Sequence, residues 1–122
     1  MKLLIVDDST MLRDMLSYAL NEGGYSDVTE AVDGEDGLEK SKLTTFDLII
    51  TDVNMPNMDG LTLVSELRQL PQYEKSPILV LTTERSGEMK TKGKAAGATG
   101  WIVKPFVPDQ LLKAVNIVLN KR

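Results

Sequence analysis

The sequence predicts an α/β fold in which a doubly wound, five-stranded parallel sheet is flanked by five helices. Short continuous apolar runs, such as Leu48-Ile49-Ile50, alternate along the chain with longer segments of helical period. Strands that are apolar throughout are typical of a parallel sheet buried on both faces, because right-handed crossovers place helices on each side. The predicted strands are 3–6, 27–31, 48–50, 78–81 and 101–103.

Each helix has its own signal. The first ends at Gly23-Gly24, where glycine accepts a left-handed turn without steric cost. The second, over 35–43, is mainly polar. The apolar faces of the first, third and fifth helices are predicted from Met11, Leu12, Met15, Leu16, Ala19 and Leu20, then Leu61, Leu63, Val64 and Leu67, then Leu111, Leu112, Val115, Val118 and Leu119.

The segment 86–97 predicts a weak fourth helix. Its interior contains Gly87 and Gly93, and each glycine costs roughly 1 kcal/mol against alanine. In one interpretation, packing alone holds this poor helix in place. In the other, a marginal element moves easily, as a switch surface must. The sequence leaves both interpretations open.

The composition excludes several classes of function. The 122 residues suffice for one domain and include no cysteine and no histidine, so the chain has no disulfide, no Ser-His-Asp or Cys-His machinery and no histidine-ligated metal. A net charge of −4 disfavours nucleic acid as a partner, because nucleic-acid binding needs a basic face. The apolar run 3–6 is too short for a signal peptide or a membrane span, which predicts a cytoplasmic protein. We expect one domain over 1–122 without an output domain.

Acidic side chains follow two strands that come together if the first and third strands are neighbours. Asp7 and Asp8 follow the first strand, and Asp52 follows the third. Ligands of an open parallel sheet bind beyond the carboxyl ends of its strands. Each residue also has a simpler interpretation, in which Asp7 or Asp8 caps the next helix and Asp52 is a solvated loop acid.

Three clustered carboxylates favour a metal ion. Two unit charges about 5 Å apart repel by roughly 3 kcal/mol at an effective dielectric of about 20. The sequence offers no histidine or arginine at an adjacent strand end to offset this repulsion. Oxygen ligands favour Mg²⁺ or Ca²⁺ over zinc, and Mg²⁺ often pairs with phosphate oxygens. The cluster therefore points towards phosphoryl chemistry.

Two more strand ends supply polar groups to the same edge of the sheet. Thr82 closes the fourth strand and Lys104 closes the fifth. Taken alone, they are an ordinary strand residue and an ordinary surface charge. Beside the acids, the hydroxyl would bond a phosphoryl oxygen and the ammonium would pair with its charge. An acid nucleophile, a metal, a hydroxyl and a cation together predict a phosphoryl-accepting site.

Six segments give the sequence a resemblance to a known family. They are Leu4-Ile5-Val6-Asp7-Asp8-Ser9, Asp47-Leu48-Ile49-Ile50-Thr51-Asp52, Met55-Pro56-Asn57-Met58-Asp59-Gly60, Leu81-Thr82-Thr83-Glu84, Gly97-Ala98-Thr99-Gly100 and Val103-Lys104-Pro105-Phe106. In this order and at these spacings, the sequence resembles the response-regulator receiver domains over its whole length, and the chemotaxis regulators among them. The resemblance implies a flavodoxin-like fold with strand order 2-1-3-4-5.

The resemblance implies a phosphoacceptor and a metal site. Asp52 resembles the family's phosphoacceptor, which receives its phosphoryl group from a histidine kinase, here one of the chemotaxis type. Asp8 and Asp52 resemble direct Mg²⁺ ligands. The backbone carbonyl of Asn54 is a further implied ligand, and Asp7 is implied to act largely through water.

The resemblance also implies roles around the phosphoryl group. Thr82 resembles the switch hydroxyl and Lys104 the phosphate-binding lysine, with a cis bond to Pro105. Asn54 and Glu84 occupy the two positions that tune phosphoryl lifetime in the family.

Trp101 departs from the family pattern. The switch aromatic before the lysine is often tyrosine or phenylalanine, and an indole keeps the bulk but lacks the phenol's oxygen acceptor. In one interpretation Trp101 turns inward on phosphorylation. In the other it is a static aromatic on an edge strand.

The family resemblance also implies an output. It implies a monomer that catalyses only its own phosphorylation and dephosphorylation, without membrane or nucleic-acid partners. The signal would pass through the face of the fourth helix, fifth strand and fifth helix to a flagellar motor switch protein or another downstream protein, with a phosphatase as an optional partner. A phosphate sink or a phosphorelay intermediate is the alternative.

Two other classes of protein require residues that this sequence lacks. A Mg²⁺-dependent aspartyl phosphatase usually has a general acid two residues after its nucleophile, where this chain has Asn54. A flavin- or nucleotide-binding module needs a loop rich in Gly, Ser and Thr after the first strand, where this chain has Asp7-Asp8-Ser9-Thr10. Both classes are less consistent with the sequence than a receiver.

Overall fold

The computed structural model describes residues 1–83 and 87–120, and these contain all ten predicted elements in the predicted order. The strands are β1 (Leu3–Val6), β2 (Val28–Ala31), β3 (Leu48–Asp52), β4 (Ile78–Thr82) and β5 (Gly100–Val103). The helices are α1 (Thr10–Glu22), α2 (Gly34–Leu43), α3 (Gly60–Arg68), α4 (Gly87–Ala96) and α5 (Pro108–Asn120). A 3₁₀ turn at Pro71–Tyr73 was not predicted.

The five strands form one parallel sheet in the order β2-β1-β3-β4-β5, which confirms the expected order. Strand β1 pairs with both β2 and β3, and Val6 lies opposite Thr51. The residues that follow β1 therefore emerge beside the end of β3. At this point the strand order reverses, which opens a crevice at the carboxyl edge of the sheet.

Alternation along the buried strands divides the core into two layers. Leu3 and Ile5 face the layer against α1 and α5, while Leu4 and Val6 face the layer against α3. Both layers are fully buried where they meet the central strands. Apolar side chains leave β1 on both faces. A shift of this strand by one residue would therefore move each side chain into the opposite layer of the core, where the packing is different.

Part of the predicted apolar face of α1 is wrong. Leu16, Ala19 and Leu20 are buried as expected, but Met11 is 69% exposed and Met15 is also exposed. The residues that α1 buries in the core lie in its C-terminal half, where α5 lies beside it. The spacing of the methionines fits a helix face, but the fold turns that end of the face towards solvent.

None of the helices in the two described ranges has the length and hydropathy needed to cross a bilayer.

Hydrogen bonds to two residues close the amino edge of the sheet. The Arg68 guanidinium donates to the carbonyls of Gly97, Tyr73 and Ser76. The fully buried Tyr73 hydroxyl accepts from the Phe46 amide at 3.1 Å and lies 2.7 and 2.8 Å from the carbonyls of Ser41 and Thr44. These polar contacts lie at the opposite edge from the acidic residues.

We expect Tyr73→Phe to lower the free energy of unfolding by about 1–3 kcal/mol, because the buried Phe46 amide loses its acceptor. The measurement is urea denaturation followed by circular dichroism. Tyr18→Phe is the matched control, since the Tyr18 side chain is exposed and its loss should leave the urea midpoint unchanged. Equal midpoints for Tyr73→Phe and the wild type would show that the hydroxyl contributes nothing.

Candidate functional site

Three carboxylates meet at the carboxyl edge of the sheet. Asp7 and Asp8 lie in the loop after β1, and Asp52 is the last residue of β3. One oxygen from each carboxylate lies within 4.8 Å of the others. The structure thus brings together the three acids that the sequence predicts to converge.

Asp7 is the most confined of the three acids. Its side chain is 1% exposed, and its Oδ1 accepts a hydrogen bond from the Ser9 amide at 2.9 Å. Its Oδ2 has no hydrogen-bond partner within the part of the chain that the structure describes. Burial raises the pKa of this carboxyl above its ordinary value. The Ser9 amide and Lys104 oppose the shift, while Asp52 and Asp8 add to it.

Neither Asp7 nor Asp8 caps α1, so that simpler interpretation is wrong. The cap is Ser9, whose hydroxyl accepts from the Leu12 amide at 3.2 Å. Asp7 instead bonds the amide of the capping residue, and Asp8 is exposed. Neither carboxylate is therefore used to cap the N-terminus of the helix.

Asp52 is held by one of its two carboxylate oxygens. The Oδ1 atom accepts from the Val53 amide at 2.8 Å and lies 2.8 Å from the Lys104 Nζ. No hydrogen bond reaches the Oδ2 atom from any residue that the structure describes. The residue is 7% exposed. The carboxylate is thus oriented through Oδ1, with Oδ2 left for a ligand.

Gly60 allows α3 to begin directly against Asp52. The Gly60 amide donates to the Val53 carbonyl at 2.8 Å, and a Cβ atom on Gly60 would lie 1.9 Å from the Asp52 carbonyl oxygen. No side chain fits in that space, so a glycine is required for this approach. No pattern in the sequence indicates this role for Gly60, although Gly60 stands in one of the six segments that define the resemblance.

Lys104 and Thr82 come from the ends of neighbouring strands. The Lys104 amide donates to the Thr82 carbonyl at 2.8 Å. The Lys104 ammonium, 2.8 Å from Asp52 Oδ1, also lies 3.7 Å from Asp7 Oδ2. The bond from Lys104 to Pro105 is cis, as the resemblance implies. Thr82 is buried and ends β4, beside the strand that ends at Asp52.

The site retains negative charge after Lys104 is counted. Three carboxylates and one ammonium leave two unbalanced negative charges when all are ionised. The donors are oxygens, and one of them, Asp7 Oδ2, is buried without a hydrogen bond. Hard divalent cations prefer such a set. The residues present therefore fit Mg²⁺.

The remaining predicted site residues lie around this cluster or outside the described residues. Asn54 is exposed, two residues beyond Asp52. Trp101 lies half-buried on the edge strand β5, and the Lys90 ammonium is 5.0 Å from its ring centroid. Glu84 lies outside the residues that the structure describes.

The fold and the acidic crevice agree with a comparison to known families. The sequence model described as the response regulator receiver domain matches residues 3–116. The chain belongs to the response regulator receiver family, which confirms the resemblance found in the sequence.

Several similar proteins within this family are named as chemotaxis proteins. The chain is 39% identical over 121 residues to the chemotaxis protein CheY1 of Helicobacter pylori, covering 98% of each. It is 41% identical over 124 residues to a chemotaxis protein CheY homolog of Campylobacter jejuni, covering 98% of this chain and 93% of that one. Its structure is similar to that of the Vibrio cholerae chemotaxis protein CheY4, with a TM-score of 0.91 and 51% identity over 96% of this chain and 97% of that one.

We expect Asp7→Asn to stabilise the metal-free protein by about 1 kcal/mol at neutral pH, because it removes a buried anionic oxygen without a hydrogen bond. Since the folded-state pKa of Asp7 is raised, the folded protein binds this proton more tightly than the unfolded chain does. The contribution of Asp7 to the stability of the wild type should therefore fall as the pH rises above about 4. The Asn variant should not lose this contribution. Urea denaturation in EDTA across this pH range measures the difference.

The stabilisation of Asp7→Asn should disappear in saturating Mg²⁺, because bound ligand stabilises the wild type. Asp8→Asn is the control, since the exposed Asp8 carboxylate should give a smaller change in EDTA. A lower stability of Asp7→Asn than of the wild type in EDTA would contradict this account of the buried oxygen.

Proposed function

We propose that this chain is a response regulator that accepts a phosphoryl group on Asp52 in a Mg²⁺-dependent reaction. The observation on which this proposal rests is the state of the Asp52 carboxylate. It is nearly buried, held through Oδ1 by Lys104 and the Val53 amide, and within 4.8 Å of two further carboxylates. A carboxylate fixed in this way can attack phosphorus with its other oxygen.

Asp8 and Asp52, with the backbone carbonyl of Asn54, would hold Mg²⁺, and Asp7 would act on it largely through water. The buried Asp7 Oδ2 atom supports this assignment, because it has no hydrogen-bond partner among the described residues and could accept from a water molecule bound to the ion. When bound, the ion supplies positive charge that offsets the charge of the phosphoryl oxygens. The protein's own contribution is to hold the acids in place before the phosphoryl group arrives.

In the transfer step, Asp52 Oδ2 attacks the phosphorus of a partner's phosphohistidine in line. The new bond joins Oδ2 to phosphorus, and the phosphorus–nitrogen bond breaks with its electron pair leaving on the imidazole. Lys104 already lies against Asp52 Oδ1 and would pair with a phosphoryl oxygen as charge develops. Positioning and electrostatics of this kind dominate the catalysis of phosphoryl transfer.

The signal would leave through the face of α4, β5 and α5. Thr82 would move to bond the new phosphoryl oxygen, and Trp101 would turn into the space that Thr82 leaves. Phosphorylation shifts this equilibrium only by its different contacts in the two states. Thr82 and Trp101 lie on the adjacent strands β4 and β5, which supports this coupling.

We infer a role in bacterial chemotaxis, with a histidine kinase of the chemotaxis type as donor and a flagellar motor switch protein as target. The similarity to proteins named as chemotaxis proteins over nearly the full chain supports this inference. The protein would act in the cytoplasm, where such a kinase presents its phosphohistidine.

We expect Asp52→Asn to abolish phosphorylation by acetyl phosphate, because an amide oxygen is a poor nucleophile and cannot form a stable acyl phosphate. Mass spectrometry of the intact protein measures the added phosphoryl group. Asp59→Asn is the matched control: Asp59 caps α3 through the Thr62 amide, and asparagine caps helices equally well. Labelling of Asp52→Asn at the wild-type rate would refute the assignment.

We expect the fluorescence of Trp101 to change when Mg²⁺ and a phosphoryl analogue are added together. Trp101 is the only tryptophan in the chain, and a ring that turns away from the Lys90 ammonium and into the interior changes its surroundings. The measurement is an emission spectrum at increasing analogue concentration.

The same titration of Asp52→Asn is the control and should give no change from the analogue. An unchanged wild-type spectrum at saturating analogue would show that Trp101 is a static aromatic of the edge strand.

A further inference from the structure

Arg13 reaches back from α1 to the loop that holds Asp7 and Asp8. Its Nη1 donates to the carbonyl oxygen of Asp7 at 2.6 Å. That carbonyl belongs to the peptide group that joins Asp7 to Asp8, so its orientation affects where both side chains point. The Asp7 amide is in turn bonded to the Ala31 carbonyl at 3.1 Å. The peptide groups on both sides of the Asp7 Cα atom are thus hydrogen-bonded, and the one that leads to Asp8 is held by Arg13.

The other nitrogens of Arg13 fix the guanidinium itself. The Nε atom donates to Glu30 Oε1 at 3.1 Å, and Nη2 donates to the Thr10 hydroxyl at 3.2 Å. The Arg13 side chain is only 11% exposed. A planar guanidinium with three separate partners holds a single orientation, which a flexible ammonium cannot reproduce.

The stability of α1 does not explain the position of Arg13. A cation near the N-terminus of a helix is unfavourable, because the helix dipole is positive at that end. The Glu30 carboxylate is 39% exposed, and exposed ion pairs contribute little to stability. The contact that distinguishes Arg13 is therefore the one to the Asp7 carbonyl.

We propose that Arg13 is a positioning residue for the acidic site, which holds the Asp7–Asp8 peptide so that both carboxylates face Asp52, and thereby sets the affinity for Mg²⁺. This inference rests on the proposed function, since it takes the acidic cluster to be the Mg²⁺ site. Among the described residues, Arg13 makes no hydrogen bond or ion pair with the carboxylates of Asp7, Asp8 or Asp52. It acts through the backbone.

The test compares Mg²⁺ binding by the wild type and Arg13→Met, measured by titration calorimetry. Methionine keeps an apolar stem of similar length but cannot donate to the Asp7 carbonyl. We expect the dissociation constant for Mg²⁺ to rise about 10- to 100-fold, the usual effect of removing a group that orients metal ligands. In the metal-free protein, the Asp7 amide, which donates to the Ala31 carbonyl, should also exchange its hydrogen faster.

Arg68→Met is the matched control for loss of stability. Arg68 also donates to backbone carbonyls, but at the opposite edge of the sheet. It should lower the urea midpoint and leave the affinity for Mg²⁺ unchanged. Glu30→Gln should also leave the affinity unchanged, because the amide oxygen of the substituted side chain can still accept from Arg13 Nε.

The outcomes separate the inference from the proposed function. Wild-type affinity in Arg13→Met, or an equal loss in Arg68→Met, would overturn the role of Arg13 while leaving the Mg²⁺ site in place. A wild type that binds no Mg²⁺ would overturn the proposed function and this inference with it. Should Arg13→Met not fold, Arg13→Lys decides: an affinity equal to the wild type would overturn the role of the guanidinium, and a weaker one would support it.

Discussion

The repulsion among three carboxylates at one edge of the sheet is the constraint on which the site depends. Strand register forces Asp7 and Asp52 together, because Val6 lies opposite Thr51 on the neighbouring strand. Lys104 neutralises part of this charge. The buried Asp7 Oδ2 is left without a hydrogen bond, an arrangement that costs stability in the absence of a cation. The unfavourable interaction therefore lies at the place where a bound cation would relieve it.

The loss of stability caused by the buried Asp7 Oδ2 atom is limited to one of the two edges of the sheet. At the amino edge, Arg68 and Tyr73 satisfy backbone groups and close the structure. At the carboxyl edge, Arg13 donates a hydrogen bond to the Asp7 carbonyl. Gly60 has no side chain and so leaves room for the Asp52 carbonyl. The named polar groups at the amino edge are hydrogen-bonded to backbone groups, whereas at the carboxyl edge the Asp7 Oδ2 atom has no hydrogen-bond partner among the described residues. Functional sites commonly carry such local cost within an otherwise satisfied fold.

The face formed by α4 and β5 combines a poor helix with a half-buried aromatic. Helix α4 contains Gly87 and Gly93, and few of its residues are buried. The Lys90 ammonium lies over the Trp101 ring and joins this helix to the edge strand β5. A cation–π contact at a partly exposed site contributes about 0.5–1 kcal/mol, so it biases the position of the ring without locking it. A face of this kind can be moved by a local event at the neighbouring strand end.

The sequence by itself determined the ten elements, the class of sheet and the edge at which Asp7, Asp8 and Asp52 lie, because strand ends of a parallel sheet share one edge. That the three acids meet also required the first and third strands to be neighbours, an order that the family resemblance implied. It could not place Met11 and Met15, since spacing reveals a helix face but not which part of that face the sheet covers. The tertiary structure alone decided which carboxylate oxygens are occupied and that Arg13 turns back to the Asp7 carbonyl. These features depend on side-chain directions and on contacts between distant segments. No local pattern of residues encodes either of them.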